Sequence, residues 1–129
     1  MKRKSGIGKF CVVVLVLCTM IIPASARYSS ISYLSAKLSI SDAGYASCVG
    51  TCTVEYGYTG EVTLELQQKK GSTWETIMDW NDSGESVRMD KRQFVAKGYD
   101  YRAKISADVY DSKGNFVEDG IIYSNIVDF

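Results

Sequence analysis

The chain has 129 residues with 15 basic and 15 acidic side chains, no histidine, four cysteines and one proline. Without histidine the Ser-His-Asp and Cys-His arrangements are excluded, together with the commonest general base and most zinc catalysis. Four of the basic residues lie within the first nine positions, which leaves eleven basic against fifteen acidic beyond them, a net charge of −4; a mildly acidic domain without a basic cluster argues against nucleic acid as a partner.

Residues 1–26 have the pattern of a secretory signal peptide. Lys2, Arg3, Lys4 and Lys9 form its positive region, Phe10 to Ile22 an apolar run, and Ala24-Ser25-Ala26 a small-residue cleavage site. The apolar run is about thirteen residues, short of the about twenty that cross a bilayer. Cys18 follows Leu17 rather than a small residue, which argues against lipidation, so Cys11 and Cys18 are expected to leave with the signal. The expected product is a secreted, extracellular domain at 27–129, with no membrane anchor after cleavage.

From there the pattern has a period of two. Apolar residues occupy the even positions in Leu34-Ser-Ala36-Lys-Leu38-Ser-Ile40 and again in Val62-Thr-Leu64-Glu-Leu66. They occupy the odd positions from Tyr99 to Val109. Such alternation builds strands with one buried face and excludes helix there. Gly, Asn, Asp and Ser clusters near 42–44, 57–60, 70–72, 81–84, 97–98 and 111–115 read as turns. They divide the chain into about seven strands, at 31–41, 45–56, 61–69, 73–80, 85–95, 99–110 and 116–128. The predicted fold is an all-β, antiparallel two-sheet sandwich of the immunoglobulin or fibronectin kind. Trp74 is expected to fill the space between the sheets. Tyr99 or Tyr101 is placed where a tyrosine corner forms.

Cys48 and Cys52 share one face of a predicted strand, and four residues of strand span roughly 13 Å, whereas a disulfide needs Cα atoms about 5.5 Å apart. Three readings stay open: free buried thiols, a local bridge across a looped-out 49–51, or a bridge between chains. The spacing C-x-x-x-C is not that of a redox centre, and two cysteines without histidine make a poor zinc site.

The stretch Asp79-Trp-Asn-Asp-Ser-Gly-Glu-Ser-Val-Arg-Met-Asp90 puts Asp79, Asn81, Ser83 and Asp90 at the first, third, fifth and twelfth places of a calcium loop, with Gly84 at the sixth. Ser86 stands where an apolar residue is usual, the flanks alternate as strands, and no second copy follows. A hairpin turn is therefore the expectation, with these four residues a weak metal candidate and no cofactor. Glu61, Glu65 and Asp108 lie on polar strand faces and read as solvated carboxylates.

Aromatics remain. Nine tyrosines exceed what one small core hides. Trp80, Tyr58, Tyr110 and Tyr123, near turns and strand ends, are the candidate binding residues, because exposed Tyr and Trp give contact area at low entropy cost.

The succession Leu38-Ser-Ile40-Ser, Gly57-Tyr-Thr59, Leu64-Glu-Leu66-Gln67, Trp74-Glu-Thr-Ile77, Gly98-Tyr-Asp-Tyr101-Arg102 and Tyr123-Ser124 resembles a group of small secreted proteins from Gram-positive, clostridia-like bacteria. The likeness spans essentially all of 27–129 and implies localisation and fold, but no activity. The segments at 64–74 and 101–105 also resemble strands of fibronectin type III and immunoglobulin-like domains. The expected function is thus a non-enzymatic binding module with an unknown protein or glycan target at a cell surface. A carbohydrate-binding module standing on Trp80 and tyrosines is the alternative, and a hydrolase using carboxylates alone is a third reading.

Overall fold

The alternating runs close into eight strands among residues 28–129, which are the residues the computed structural model describes. The expected signal sequence and cleavage site, with Cys11 and Cys18, lie outside the described residues. In chain order the strands are β1 (Ile31–Ile40), β2 (Tyr45–Val54), β3 (Thr59–Lys70), β4 (Thr73–Gly84), β5 (Ser86–Phe94), β6 (Asp100–Tyr110), β7 (Phe116–Tyr123) and β8 (Val127–Asp128). They form two antiparallel sheets, β1-β2-β5 and β4-β3-β6-β7, with β8 pairing the start of β6. The all-β sandwich expected from the sequence is the fold observed.

The core follows directly from the period of two. On β6 the odd residues Tyr101, Ala103, Ile105, Ala107 and Val109 are essentially inaccessible, as are Val62, Leu64 and Leu66 on β3. Leu34, Leu38, Cys48, Cys52, Val87 and Met89 meet them from the three-stranded sheet. Burying each such large aliphatic side chain stabilises the fold by about 1.5–3 kcal/mol. At Gly50 the sheets approach closely. A Cβ there would lie 2.9 Å from Leu64 Cδ1 and 3.1 Å from Ile105 Cδ1, so these two side chains fill the notch that glycine leaves.

Tyr101 makes the corner that its position predicted. Its Oη donates to the Ala96 carbonyl at 2.6 Å and accepts from Gln68 Nε2 at 3.0 Å. Both polar groups of a buried phenol–amide pair are thereby satisfied. Tyr99 does not share this role: it is partly exposed and touches Tyr101 edge to face.

Two expectations fail on β4. Asn81 to Gly84 is not a hairpin turn. These residues continue the strand, paired with Thr63 down to Gly60. Beyond Gly84, which has a φ of 154°, the chain leaves the four-stranded sheet and enters β5 of the other sheet. Turn-forming side chains are tolerated in a strand when a long partner strand supplies every ladder bond. The second failure is Trp74. Leu66 pairs Met78 but Gln67 pairs Thr76, so Ile77 is an extra residue, a β-bulge. The bulge reverses the phase of everything before it. Trp74 and Trp80 are six residues apart and would share a face in a regular strand. Instead Trp80 lies opposite Leu64 and packs on the core, and Trp74 turns outward.

One polar side chain holds the two sheets together at an end. Glu118 lies opposite Val109 on β7. Its carboxylate accepts from the backbone N–H of Ser29, Ser30 and Ile31 at 3.2, 2.6 and 3.0 Å, and also from the Ser29 and Ser30 hydroxyls. The lead into β1 is thus tied to the opposite sheet. Burial raises the Glu118 carboxyl, but the hydrogen bonds led by Ser30 outweigh it and leave the group below its ordinary value.

Candidate interaction surface

The four aromatic candidates do not form one platform. Trp80 and Tyr58 are half-buried and pack against the core, so the rings expected to face a ligand serve the interior instead. Tyr110 is on the outer face of the four-stranded sheet, edge to face with Phe116 at 5.9 Å. Burial, and then the carboxylates of Glu61 and Asp108, push the Tyr110 phenol up. Tyr123 lies further along the same outer face, on β7 opposite Lys104.

What gathers around Tyr123 is a set of residues the sequence reading missed. The Arg102 guanidinium sits 4.0 Å from the Tyr123 ring centroid and 4.3 Å from that of Trp74. It is clasped between two aromatic faces, each contact worth about 0.5–1 kcal/mol at an exposed site. Its Nε donates to Gln67 Oε1 at 2.8 Å. Gln67 Nε2 in turn donates to Glu65 Oε1 at 3.2 Å and Thr76 Oγ1 at 3.4 Å. Lys104 Nζ lies 3.9 Å from Glu65 Oε2. The outcome is a fixed guanidinium with no ion-pair partner among the described residues, and its hydrogen bond to Gln67 uses Nε and leaves the two Nη groups out. Strand parity alone puts Arg102 outside, since Tyr101 and Ala103 are inside. Its meeting with Trp74 needed the bulge, for which the sequence has no local signal.

The rest of that face is acidic. Glu61 opposes Asp108, and Asp108 opposes Asp119. Glu61 and Asp108 line a shallow cavity of about 360 Å³ with Asn81, Asp82 and Ser83. The carboxylate-only reading thus finds its pair, on an open sheet face. The calcium candidates do not come together. Asp79, Asn81 and Ser83 lie along the outer side of β4, paired with Glu65, Thr63 and Glu61, while Asp90 lies on β5 opposite Val49 in the other sheet. The outer faces of two packed sheets point away from each other, and a strand offers no loop to wrap an ion. Asn81 Oδ1 accepts instead from Thr63 Oγ1 at 2.7 Å.

Of the three readings of the cysteines, the free buried thiols are found. β2 runs through 49–51 without a bulge, in continuous register with β1 and β5. Burial pushes Cys48 up to about 12 and Cys52 up to about 11, so neither forms the reactive thiolate near neutral pH.

No family model matches the chain, and neither a curated protein nor a solved structure does.

Proposed function

We propose that the protein is a secreted, non-enzymatic interaction module that binds a protein partner at a cell surface through the outer face of its four-stranded sheet. The clasp of Arg102 between Trp74 and Tyr123 carries this reading. Trp, Tyr and Arg dominate binding energy at protein interfaces, most of all when they are rigid before binding. Here the guanidinium is held by a hydrogen-bonded support of Gln67, Glu65 and Thr76, and the two rings lie against it. The free Nη groups suit a carboxylate on the partner. The fourth strand pairs the third rather than joining β1, β2 and β5, which differs from the constant immunoglobulin arrangement. That pairing supports the fibronectin type III resemblance, whose domains present just such a broad face. The likeness to small secreted proteins of clostridia-like bacteria supports the extracellular setting.

The carbohydrate alternative loses Trp80, whose ring packs on the core. The carboxylate-only hydrolase has Glu61 beside Asp108 and Asp119, but on an open sheet face that does not exclude water.

The test is capture of surface proteins from cells by immobilised protein, repeated with Trp74→Ala and Arg102→Ala. A partner retained by the parent and lost by both variants supports the reading. A partner retained equally by all three, or hydrolysis abolished by Glu61→Gln, overturns it.

A further inference from the structure

We infer that the outer face of the three-stranded sheet carries a separate groove for a carboxylate-bearing pyranose, a hexuronate unit of an acidic glycan. The groove is built by two cross-strand rows. One row runs Ser39–Ser47–Arg92 across β1, β2 and β5. The next pairs Tyr45 with Phe94 and ends on Ser41, whose Oγ accepts from the Tyr45 N–H at 3.2 Å. Two serines in the first row leave a hollow beside the tall ring of the second. The hollow measures about 450 Å³ and is lined by Ser39, Ile40, Ser41, Tyr45, Ser47 and Arg92, within the range of small-ligand sites.

Each wall supplies one element of sugar recognition. Tyr45 stacks on Phe94 with ring centroids 3.8 Å apart and planes 21° apart. One ring face is therefore taken, and the ring is fixed without help from a ligand. Tyr45 lines the hollow and Phe94 does not, which offers the Tyr45 ring as an electron-rich surface for the C–H face of a pyranose. Ser39, Ser41 and Ser47 offer hydroxyls as donors and acceptors.

Arg92 sets the charge. Among the described residues it forms no ion pair, whereas its neighbour Arg88 lies 3.7 Å from Asp90. By strand parity Lys37, Arg88 and Arg92 share this face with the single carboxylate Asp90. A basic face on an otherwise acidic domain favours an anion, and a guanidinium takes a carboxylate through two parallel hydrogen bonds.

The probe is an oligogalacturonate tetramer titrated calorimetrically into the purified protein, with neutral galacto-oligosaccharide of equal length and polyglutamate as controls. The expected result is saturable binding of oligogalacturonate alone, weakened by added salt. Arg92→Ala and Tyr45→Ala should each reduce it at least tenfold, while Tyr45→Phe keeps the ring and the binding. Trp74→Ala should leave it unchanged, which separates this groove from the four-stranded face. All three side chains are surface-borne, so circular dichroism will show each of the four variants folded like the parent. Absence of binding overturns the inference. So does equal binding of the neutral sugar, which removes Arg92 as selector, or equal binding of polyglutamate that survives Tyr45→Ala, which removes the pyranose.

Discussion

Trp74 and Trp80 stand on one strand at positions of the same parity, yet one props up an arginine in solvent and the other closes the core. The difference lies in Ile77, the unpaired residue between them. A face assignment therefore belongs to the ladder and not to the strand's own sequence: β4 reads its phase from β3, residue by residue. The two ends of β4 have accordingly different work. The stretch before the bulge turns Trp74 to the outer face, and the stretch after it sets Trp80 on the core.

Trp80→Ala is the strongest way to break this contrast and should cost about 2–3 kcal/mol, less than a fully buried tryptophan because the ring is half exposed. Glu118→Gln sharpens the comparison from the other side, because Glu118 is a charge at an inward-facing position that is tolerated only through its hydrogen bonds. Losing the charge on that acceptor should cost about 1–2 kcal/mol at neutral pH. Glu118 has a depressed folded value, so its contribution is complete above the unfolded carboxyl value of about 4.3 and fades as pH falls through the folded one. Melting temperatures of parent and variant should therefore differ at pH 7 and converge in acid. Trp74→Ala should be the mildest substitution, at about 0.5–1 kcal/mol, although it removes half of the clasp on Arg102. A stability loss matching that of Trp80→Ala would erase the distinction between the two ends. Deleting Ile77 tests how the bulge sets this contrast. The ladder becomes regular with Met78 still opposite Leu66 and Thr76 still opposite Gln67, so Trp74, now five residues from Trp80, keeps its outward face. Urea unfolding should change by no more than about 1 kcal/mol, since no side chain before the bulge changes sides. A loss of about 3 kcal/mol would mean that the ladder does not place Trp74 in this way.

Much of the architecture was legible from the pattern. The predicted strand at 99–110 is β6 at Asp100–Tyr110, and 73–80 finds the start of β4. Alternating residues leave little choice when one face must be dry, and the two tyrosines opening the longest such run marked the corner without showing that Tyr101 rather than Tyr99 makes it. The far end of β4 was not legible because Asn81, Asp82 and Ser83 have turn chemistry, and only their pairing with Val62, Thr63 and Glu61 keeps them extended. The candidate surface was read least well. Aromatic count named Tyr123, which lies on the outer face, and Trp80, which packs on the core, but passed over the outward-turned Trp74. Glu118 went unnoticed altogether, since the backbone groups it binds lie more than eighty positions earlier in the chain. Contacts of that span are settled by topology, which no local window reveals.

Two sulfurs lie in the middle of β2, unjoined, with a glycine between them. Among the described residues no covalent cross-link holds the sandwich, so a reductant has nothing there to cut, and the fold endures through packing and hydrogen bonds.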